Sequence, residues 1–312
     1  MQHLAKHFSV NVNEQYVIMK VDRNDIMLRQ IRSWLVNILL SEKDVFESAI
    51  IESLNLTPFQ QVCKTILYDF FSMTDEGPLN RFIGERKYTV DMITPLFKAI
   101  QSVHSEYLFD WIEVQVNCIK DTKELFPEFD FTLNKVDGIG SKVSSNKEII
   151  FIEVFGGPEN TILKHVKEDT EKLIKEAMCG LITLLRDYLD KDAEKAKNIC
   201  VYMMQCIGDQ IMLSQICLDK KHFYKISQIK FAMLPFSFDE VEKFMGVFEL
   251  LDALMVGLAK QIRELEELML ASSTYDVPII RDWIWVPKNL SMWEAIEIIY
   301  KDFSYKGLNH EN

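Results

Sequence analysis

Residues 129–160 read FDFTLNKVDGIGSKVSSNKEIIFIEVFGGPEN, and they contain the two central strands of the predicted sheet. Two segments rich in β-branched and aromatic residues flank the polar sequence SKVSSNK, which predicts two neighbouring strands joined by a turn. The run IIFIEVF is apolar almost throughout, as in a central strand covered on both faces. We expect Asp137 to end the first strand, where Gly138 and Gly140 let the backbone turn. Glu153 lies near the end of the second strand.

Two carboxylates at neighbouring strand ends are the kind of ligand that Mg²⁺ prefers. We therefore predict that Asp137 and Glu153 bind Mg²⁺, which would activate water for attack on a phosphodiester. Such a site needs a further group to stabilise charge. Side chains alternate along a strand, so residue 155 shares the face of Glu153. That residue is Phe155, which offers neither charge nor proton.

The plain alternative is that these two acids are structural. Asp137 before two glycines is also typical of a turn. Glu153 in an apolar strand is harder to explain in this way, because a buried carboxylate must be paired, metal-bound or protonated.

Other polar side chains are candidates for the same site. His165, Asp169 and Lys172 are spaced i, i+4 and i+7, so they share one face of the helix predicted after Glu153. Lys172 can then supply the cation that position 155 lacks; the alternative is an exposed charge network on that helix. Gln205 lies on an apolar strand, where it either forms a hydrogen bond across to a neighbouring strand or contacts the backbone of a substrate.

Composition limits the class of protein. The chain has 312 residues, 48% of them hydrophobic, and a net charge of −12, which argues against a general nucleic-acid coat but not against a nucleic-acid enzyme. No apolar run reaches the roughly 18 residues that span a bilayer, and the N-terminus lacks signal-peptide features. The six cysteines show no C-x-x-C spacing. We therefore expect buried, reduced thiols and an intracellular location, cytoplasmic or nuclear, without membrane contact.

Periodicity and turn signals predict the remaining elements. A helical N-terminal region over 1–78 includes a helix capped by Thr57, with Pro58 in its first turn. A core over 79–275 contains a mixed α/β (α+β) arrangement, in which helices flank the sheet, and a tail over 276–312 docks on the body. Predicted helices cover 24–54, 58–73, 87–103, 159–190, 238–271 and 290–303; predicted strands cover 110–119, 129–138, 148–157, 198–208, 210–218 and 222–234.

Three motifs in this order resemble the PD-(D/E)XK nuclease-like superfamily. They are D-G-x-G at 137–140, E-x-x-G-G-P at 153–158 and H-x-x-x-D-x-x-K at 165–172. More narrowly, they resemble a poorly characterised set of fungal proteins with a divergent version of that core. The resemblance covers roughly 85–270. It rests also on GERKYTVDMITPLF, DWIEVQV, YMMQCIGDQIML, IKFAMLPFSF and FELLDALMVGLAKQIRELEE.

The resemblance implies a restriction-endonuclease-like mixed sheet with helices on both sides. It also implies metal-ligand roles for Asp137 and Glu153, and a helix-borne acid from Glu85 or Glu113. The departure is Phe155, where active nucleases of the superfamily carry lysine and the fungal set commonly does not. Two functions therefore stay open: a Mg²⁺-dependent nuclease acting on nucleic acid, and a catalytically inactive module that binds a protein partner, effector-like or derived from a mobile element. A third alternative is an unrelated α/β scaffold without a site.

Overall fold

A single mixed sheet organises the protein. The computed structural model describes residues 16–20, 26–128, 135–159, 163–271 and 277–286. Seven strands lie in the order β1-β7-β6-β5-β4-β3-β2, with β1–β7 and β4–β5 parallel and the other neighbours antiparallel. Their bounds are β1 Tyr16–Lys20, β2 Tyr107–Gln115, β3 Lys135–Lys142, β4 Lys147–Phe155, β5 Cys200–Ile207, β6 Gln210–Lys220 and β7 Phe223–Met233. The predicted mixed α/β class is confirmed.

Helices cover both faces of this sheet. Their bounds are α1 Ile26–Leu39, α2 Lys43–Ile51, α3 Pro58–Thr74, α4 Glu85–Tyr88, α5 Thr94–Val103, α6 Cys118–Leu125, α7 Leu163–Leu185, α8 Ala193–Ala196, α9 Phe244–Leu270 and α10 Ile280–Trp283. A π-helical turn, Thr89–Ile93, joins α4 to α5, and a 3₁₀ turn, Phe238–Lys243, precedes α9. No helix in the described ranges is long and apolar enough to cross a membrane.

Two glycines show how closely the long helices approach the sheet. A side chain at Gly180 of α7 would lie 2.7 Å from the ring of Phe151, and one at Gly257 of α9 would overlap the hydroxyl of Tyr202. Tyr202 is paired with Ile150, the neighbour of Phe151, so the two rings lie on opposite faces of the sheet. Helix α7 therefore covers one face and α9 the other.

The N-terminal helices form as predicted, with one break. The predicted helix 24–54 is interrupted near Ser41, which separates α1 from α2. Thr57 caps α3 in a capping box: its side chain accepts from the amide of Gln60, and the Gln60 side chain accepts from the amide of Thr57. Buried residues of α1 to α3 belong to the same hydrophobic core as the strands. The domain boundaries at 78 and 275 stay a prediction.

The strand that carries Asp137 differs from the sequence prediction. Asp137 is the third residue of β3, and Gly138 and Gly140 remain inside the strand instead of turning it. A side chain at Gly138 would lie 2.8 Å from the ring of Trp111, and one at Gly140 would lie 2.7 Å from the ring of Phe109. The glycines make room for these β2 rings, so reading them as a turn was wrong.

Residues 110–119 are also not one strand. β2 ends at Gln115 after a bulge, where Ile112 and Glu113 have φ of 65° and 57°, and α6 begins at Cys118. The Glu148 carboxylate accepts from the amides of Asn117 and Cys118, both at 2.9 Å, which fixes the start of α6. The predicted hairpin between β5 and β6 is confirmed, with Gly208 at φ 60°. The helix predicted over 290–303 lies outside the described residues.

Candidate functional site

The antiparallel pairing of β3 and β4 brings the two predicted metal ligands together. Gly138 lies opposite Ile152, so one further step along this register places Asp137 beside Glu153. The backbone amide of Val154 donates to Asp137 Oδ2 at 2.8 Å, which holds this carboxylate at the end of β4. Sequence reasoning predicted the neighbourhood correctly, although it placed Asp137 at the wrong position in its strand.

Lys172 reaches Glu153 from the helix that covers this face. Its Nζ forms an ion pair and a hydrogen bond with Glu153 Oε1. The Glu153 side chain is 6% exposed and that of Lys172 is 25% exposed. A buried carboxylate therefore has a cationic partner from α7, while Phe155, buried on the same strand, contributes no charge. Of the two alternatives that the sequence left open for Lys172, this contact matches the cation reaching the strand acid from the helix.

Glu85 is the second acid beside Asp137. It lies in the first turn of α4, and its Oε2 accepts from the amide of Gly156 at 3.0 Å. Partial burial raises the pKa of Glu85, and repulsion from Asp137 and Asp169 raises it further. Glu85 is therefore close enough to Asp137 and Asp169 for their negative charges to raise its pKa.

Glu113, the other candidate for this acid, lies on a strand and not on a helix. It lies exposed on the bulge of β2 and pairs with Lys135 at 3.3 Å and Arg86 at 3.4 Å. The hydrogen bond and charge of Lys135, helped by Arg86, lower its pKa. Of these two acids, Glu85 is therefore the one that lies beside Asp137.

The site carries more acid than base. Glu85, Asp137, Glu153, Asp169 and Glu176 interact electrostatically with one another or with Lys172, and we call these five acids the acidic cluster. Burial raises the pKa of Glu153 well above its ordinary value; Lys172 opposes this, whereas Asp137 and Glu176 add to it. Burial lowers the pKa of Lys172, but Glu153 and Glu176 outweigh it and the net shift is upward. A further cation would relieve this repulsion.

The remaining predicted residues fall into three groups. Asp169 belongs to the cluster, since its charge raises the pKa of both Glu85 and Lys172. The side chain of His165 lies outside the described residues. Gln205 of β5 is buried and is paired with Glu153 of β4. Its Nε2 donates to Thr170 Oγ1 of α7 at 2.7 Å. That bond joins β5 to the helix α7, whereas the sequence predicted a hydrogen bond to a neighbouring strand.

Sequence reasoning missed the contact that positions Glu85. A side chain at Gly157 would overlap the carbonyl oxygen of Ile83. The segment before α4 therefore lies directly on the loop after β4, and this contact brings Glu85 within reach of Gly156. The paired glycines after β4 were the available signal, since close backbone approach is a common reason for glycine.

Comparison with protein-family models, with curated proteins and with solved structures gives no match. Across the described ranges, no three His, Cys, Asp or Glu side chains are close enough together to hold a metal ion. The donors nevertheless fit Mg²⁺ in kind, because Mg²⁺ is often bound by only one or two carboxylates and keeps several waters. Asp137 and Glu153 supply two such carboxyl groups, and the pKa of Glu153 is raised mainly by burial and further by the charges of Asp137 and Glu176.

Proposed function

We propose that this protein is a Mg²⁺-dependent phosphodiesterase acting on nucleic acid, with a site of the PD-(D/E)XK type. Asp137 and Glu153 would bind the metal, and Lys172 would stand in for the lysine that Phe155 replaces. One observation carries the proposal: the Lys172 ammonium forms an ion pair with Glu153 of the acidic cluster, so the carboxylates and the cation lie in one site. Nucleic acid is the substrate class that the resemblance to nucleases implies.

Each residue has a separate task in this proposal. Bound Mg²⁺ supplies Lewis-acid polarisation and a more acidic water. Lys172 keeps its proton at neutral pH because its pKa is raised, so it stabilises negative charge that develops on the phosphate and does not act as the base. The ion pair fixes the orientation of Glu153, and the amides of Val154 and Gly156 orient Asp137 and Glu85.

A catalytically inactive interaction module is the second candidate. It is favoured by the partners that the carboxylates already have: Glu153 pairs with Lys172, while Asp137 and Glu85 accept from backbone amides. These partners satisfy the acids without a metal. Under this alternative the fold binds a protein, and the acidic cluster only holds α7 and the segment before α4 on the strand ends.

Calorimetric titration with Mg²⁺ and with Mn²⁺, followed by cleavage assays on labelled DNA and RNA, distinguishes the phosphodiesterase from the inactive interaction module. We expect binding in the millimolar range or tighter, and metal-dependent cleavage that Asp137→Ala and Glu153→Ala each abolish. Asp110→Asn, an exposed carboxylate on β2, is the matched control and should leave both unchanged. Lys172→Ala should reduce cleavage more than metal binding, and Lys172→Arg should restore part of it.

Cleavage that survives in both alanine variants would rule out the assignment of Asp137 and Glu153. Absence of binding at millimolar metal would contradict the enzyme and leave the interaction module as the better account.

A further inference from the structure

A second chemically distinctive site lies at the other end of the sheet. Cys200 begins β5 and is directly opposite Cys217 of β6. Gln205, which neighbours Glu153, is five residues further along β5, so the thiols lie about 16 Å from the acidic cluster at the usual rise per residue. The two thiols are therefore separate from the candidate metal site.

The two cysteines face each other across paired strands, and their thiols also donate to backbone carbonyls, Cys200 to Asn198 O at 3.5 Å and Cys217 to Lys225 O at 3.7 Å. Cys200 hydrogen-bonds to Cys217 and lowers its pKa; burial opposes the effect, the ammonium of Lys225 supports it and Asp219 opposes it. Lys225 lies opposite Cys217 on β7, on the far side from Cys200. Each cysteine is 7% exposed, so both are covered but not sealed from small solutes. The thiolate is the nucleophilic form of a cysteine, and the lowered pKa of Cys217 favours that form.

The other four cysteines provide an internal contrast. Cys63, Cys118, Cys179 and Cys206 are more deeply buried, at 0–2% exposure. Burial raises the pKa of each thiol, to about 12 for Cys179. Such thiols remain protonated and react slowly with oxidants. The selectivity between the two groups is set by local structure, since all six are free cysteines.

The backbone already allows a bridge between the two facing cysteines. Directly opposed residues of antiparallel strands have Cα atoms about 4.5 or 5.5 Å apart, depending on the hydrogen-bonding class of the pair. Both separations fall inside the roughly 4.4–6.8 Å that disulfides span. The Cα separation expected for this pair therefore lies within the range of a disulfide without a shift of either strand.

We propose that Cys200 and Cys217 are a site of reversible oxidation, forming an intramolecular disulfide when the protein meets hydrogen peroxide. The Cys217 thiolate attacks one peroxide oxygen, the O–O bond breaks, and Cys217 becomes a sulfenic acid as hydroxide leaves. The thiol of Cys200 then attacks the Cys217 sulfur, the S–O bond of the sulfenic acid breaks, and its oxygen leaves as water. The protons of the two thiols end in the two waters formed, so two thiols and one peroxide give one disulfide and two waters. A dithiol reductant reverses the modification.

The test treats the reduced full-length chain with hydrogen peroxide, blocks remaining thiols under denaturing conditions, and maps the products by mass spectrometry. We expect two of the six cysteines to be lost to alkylation and recovered after reduction. Chymotryptic cleavage after Tyr202 and Leu213 separates Cys200, Cys206 and Cys217, so the linked pair is identified directly. Metal binding should be the same before and after oxidation.

Two variants sharpen the result. In Cys200→Ser the resolving thiol is absent, so Cys217 should stop at the sulfenic acid and be trapped by dimedone. Cys217→Ser should give neither disulfide nor trapped product at Cys200. Retention of all six alkylatable thiols in the wild-type chain, or a bridge that joins a different pair, would overturn the proposal. Equal dimedone labelling of Cys206 and Cys217 in Cys200→Ser would do the same, because selectivity would then be lost.

Discussion

Lys172 of α7 and Glu153 of β4 form an ion pair across the interface between helix and sheet, with the carboxylate almost fully buried. The pair answers the question that Phe155 raises, because a cation does reach the strand acid, but from the helix. Nineteen positions separate the two residues in the chain. Only packing of α7 on β4 brings them together, so the partnership depends on the tertiary fold and not on a local motif.

Removing the lysine should destabilise the protein through the charge it leaves behind. In Lys172→Met the Glu153 carboxylate stays buried without its cation, and we expect a loss of about 1–3 kcal/mol in unfolding free energy near pH 8. This is less than for a fully buried pair because Lys172 is partly exposed. Urea denaturation measures the loss, and adding Glu153→Gln to the variant should recover part of it. Lys87→Met, which breaks an exposed pair with Asp91, is the control and should cost under about 0.5 kcal/mol. Equal losses in the two lysine variants would contradict a special role for Lys172.

Stability should fall as pH rises through the titration of Glu153. Its pKa in the folded protein lies above the value of 4.5 that applies to the unfolded chain, so the folded state holds the proton more strongly. The unfolding free energy then decreases with pH between 4.5 and the raised pKa, by at most about 1.4 kcal/mol per pH unit for this one group. Lys172 does not contribute in this range, since its own pKa is raised above 10.5.

Urea denaturation at intervals from pH 5 to 8 tests this sign. Glu153→Gln should reduce the dependence of the unfolding free energy on pH. Glu113→Gln should not, because the pKa of Glu113 is lowered and this carboxyl group titrates below pH 5. An equal slope in the wild type and in Glu153→Gln would contradict the raised pKa of Glu153.

The sequence predicted those features that depend on local patterns. The apolar run before Phe155, the turn at Gly208 and the cap at Thr57 each follow from residue type and spacing, and each is present. Asp137 was misplaced because Gly138 has the same appearance in a turn and beneath a Trp111 ring. Contact with an aromatic side chain from a distant strand is not encoded in the neighbouring residues.

The sequence left the choice between Glu85 and Glu113 open for the same physical reason. Both acids lie in the segment that resembles nucleases, and neither has a local signal that reports its partner. Glu85 is placed by the contact between Ile83 and Gly157, which joins two segments more than seventy residues apart. The position of Lys172 was easier to predict, because the 3.6-residue period of a helix restricts which face of α7 the side chain occupies.

Replacing Gln205 should affect stability and leave any substrate affinity intact. Gln205→Leu removes the bond to Thr170 and leaves that buried hydroxyl without its donor, which costs about 1–3 kcal/mol. The measurement is urea denaturation combined with KM in the cleavage assay. If Gln205 instead contacts the backbone of a substrate, KM would rise while the unfolding free energy stayed near the wild-type value.

Gly157→Ala should disrupt the candidate site without touching any of its charges. The added methyl group overlaps the Ile83 carbonyl, which is backbone and cannot rotate away, so the segment before α4 must shift. We expect a loss of about 1–3 kcal/mol in unfolding free energy. Glu85 should also lose its bond from Gly156, and metal affinity should fall with it. Gly84→Ala is the matched control: a side chain there meets nothing within 4 Å, so the change should cost less than about 1 kcal/mol and leave metal affinity unchanged. Normal metal binding in Gly157→Ala, or an equal defect in Gly84→Ala, would show that the Ile83 contact does not position Glu85.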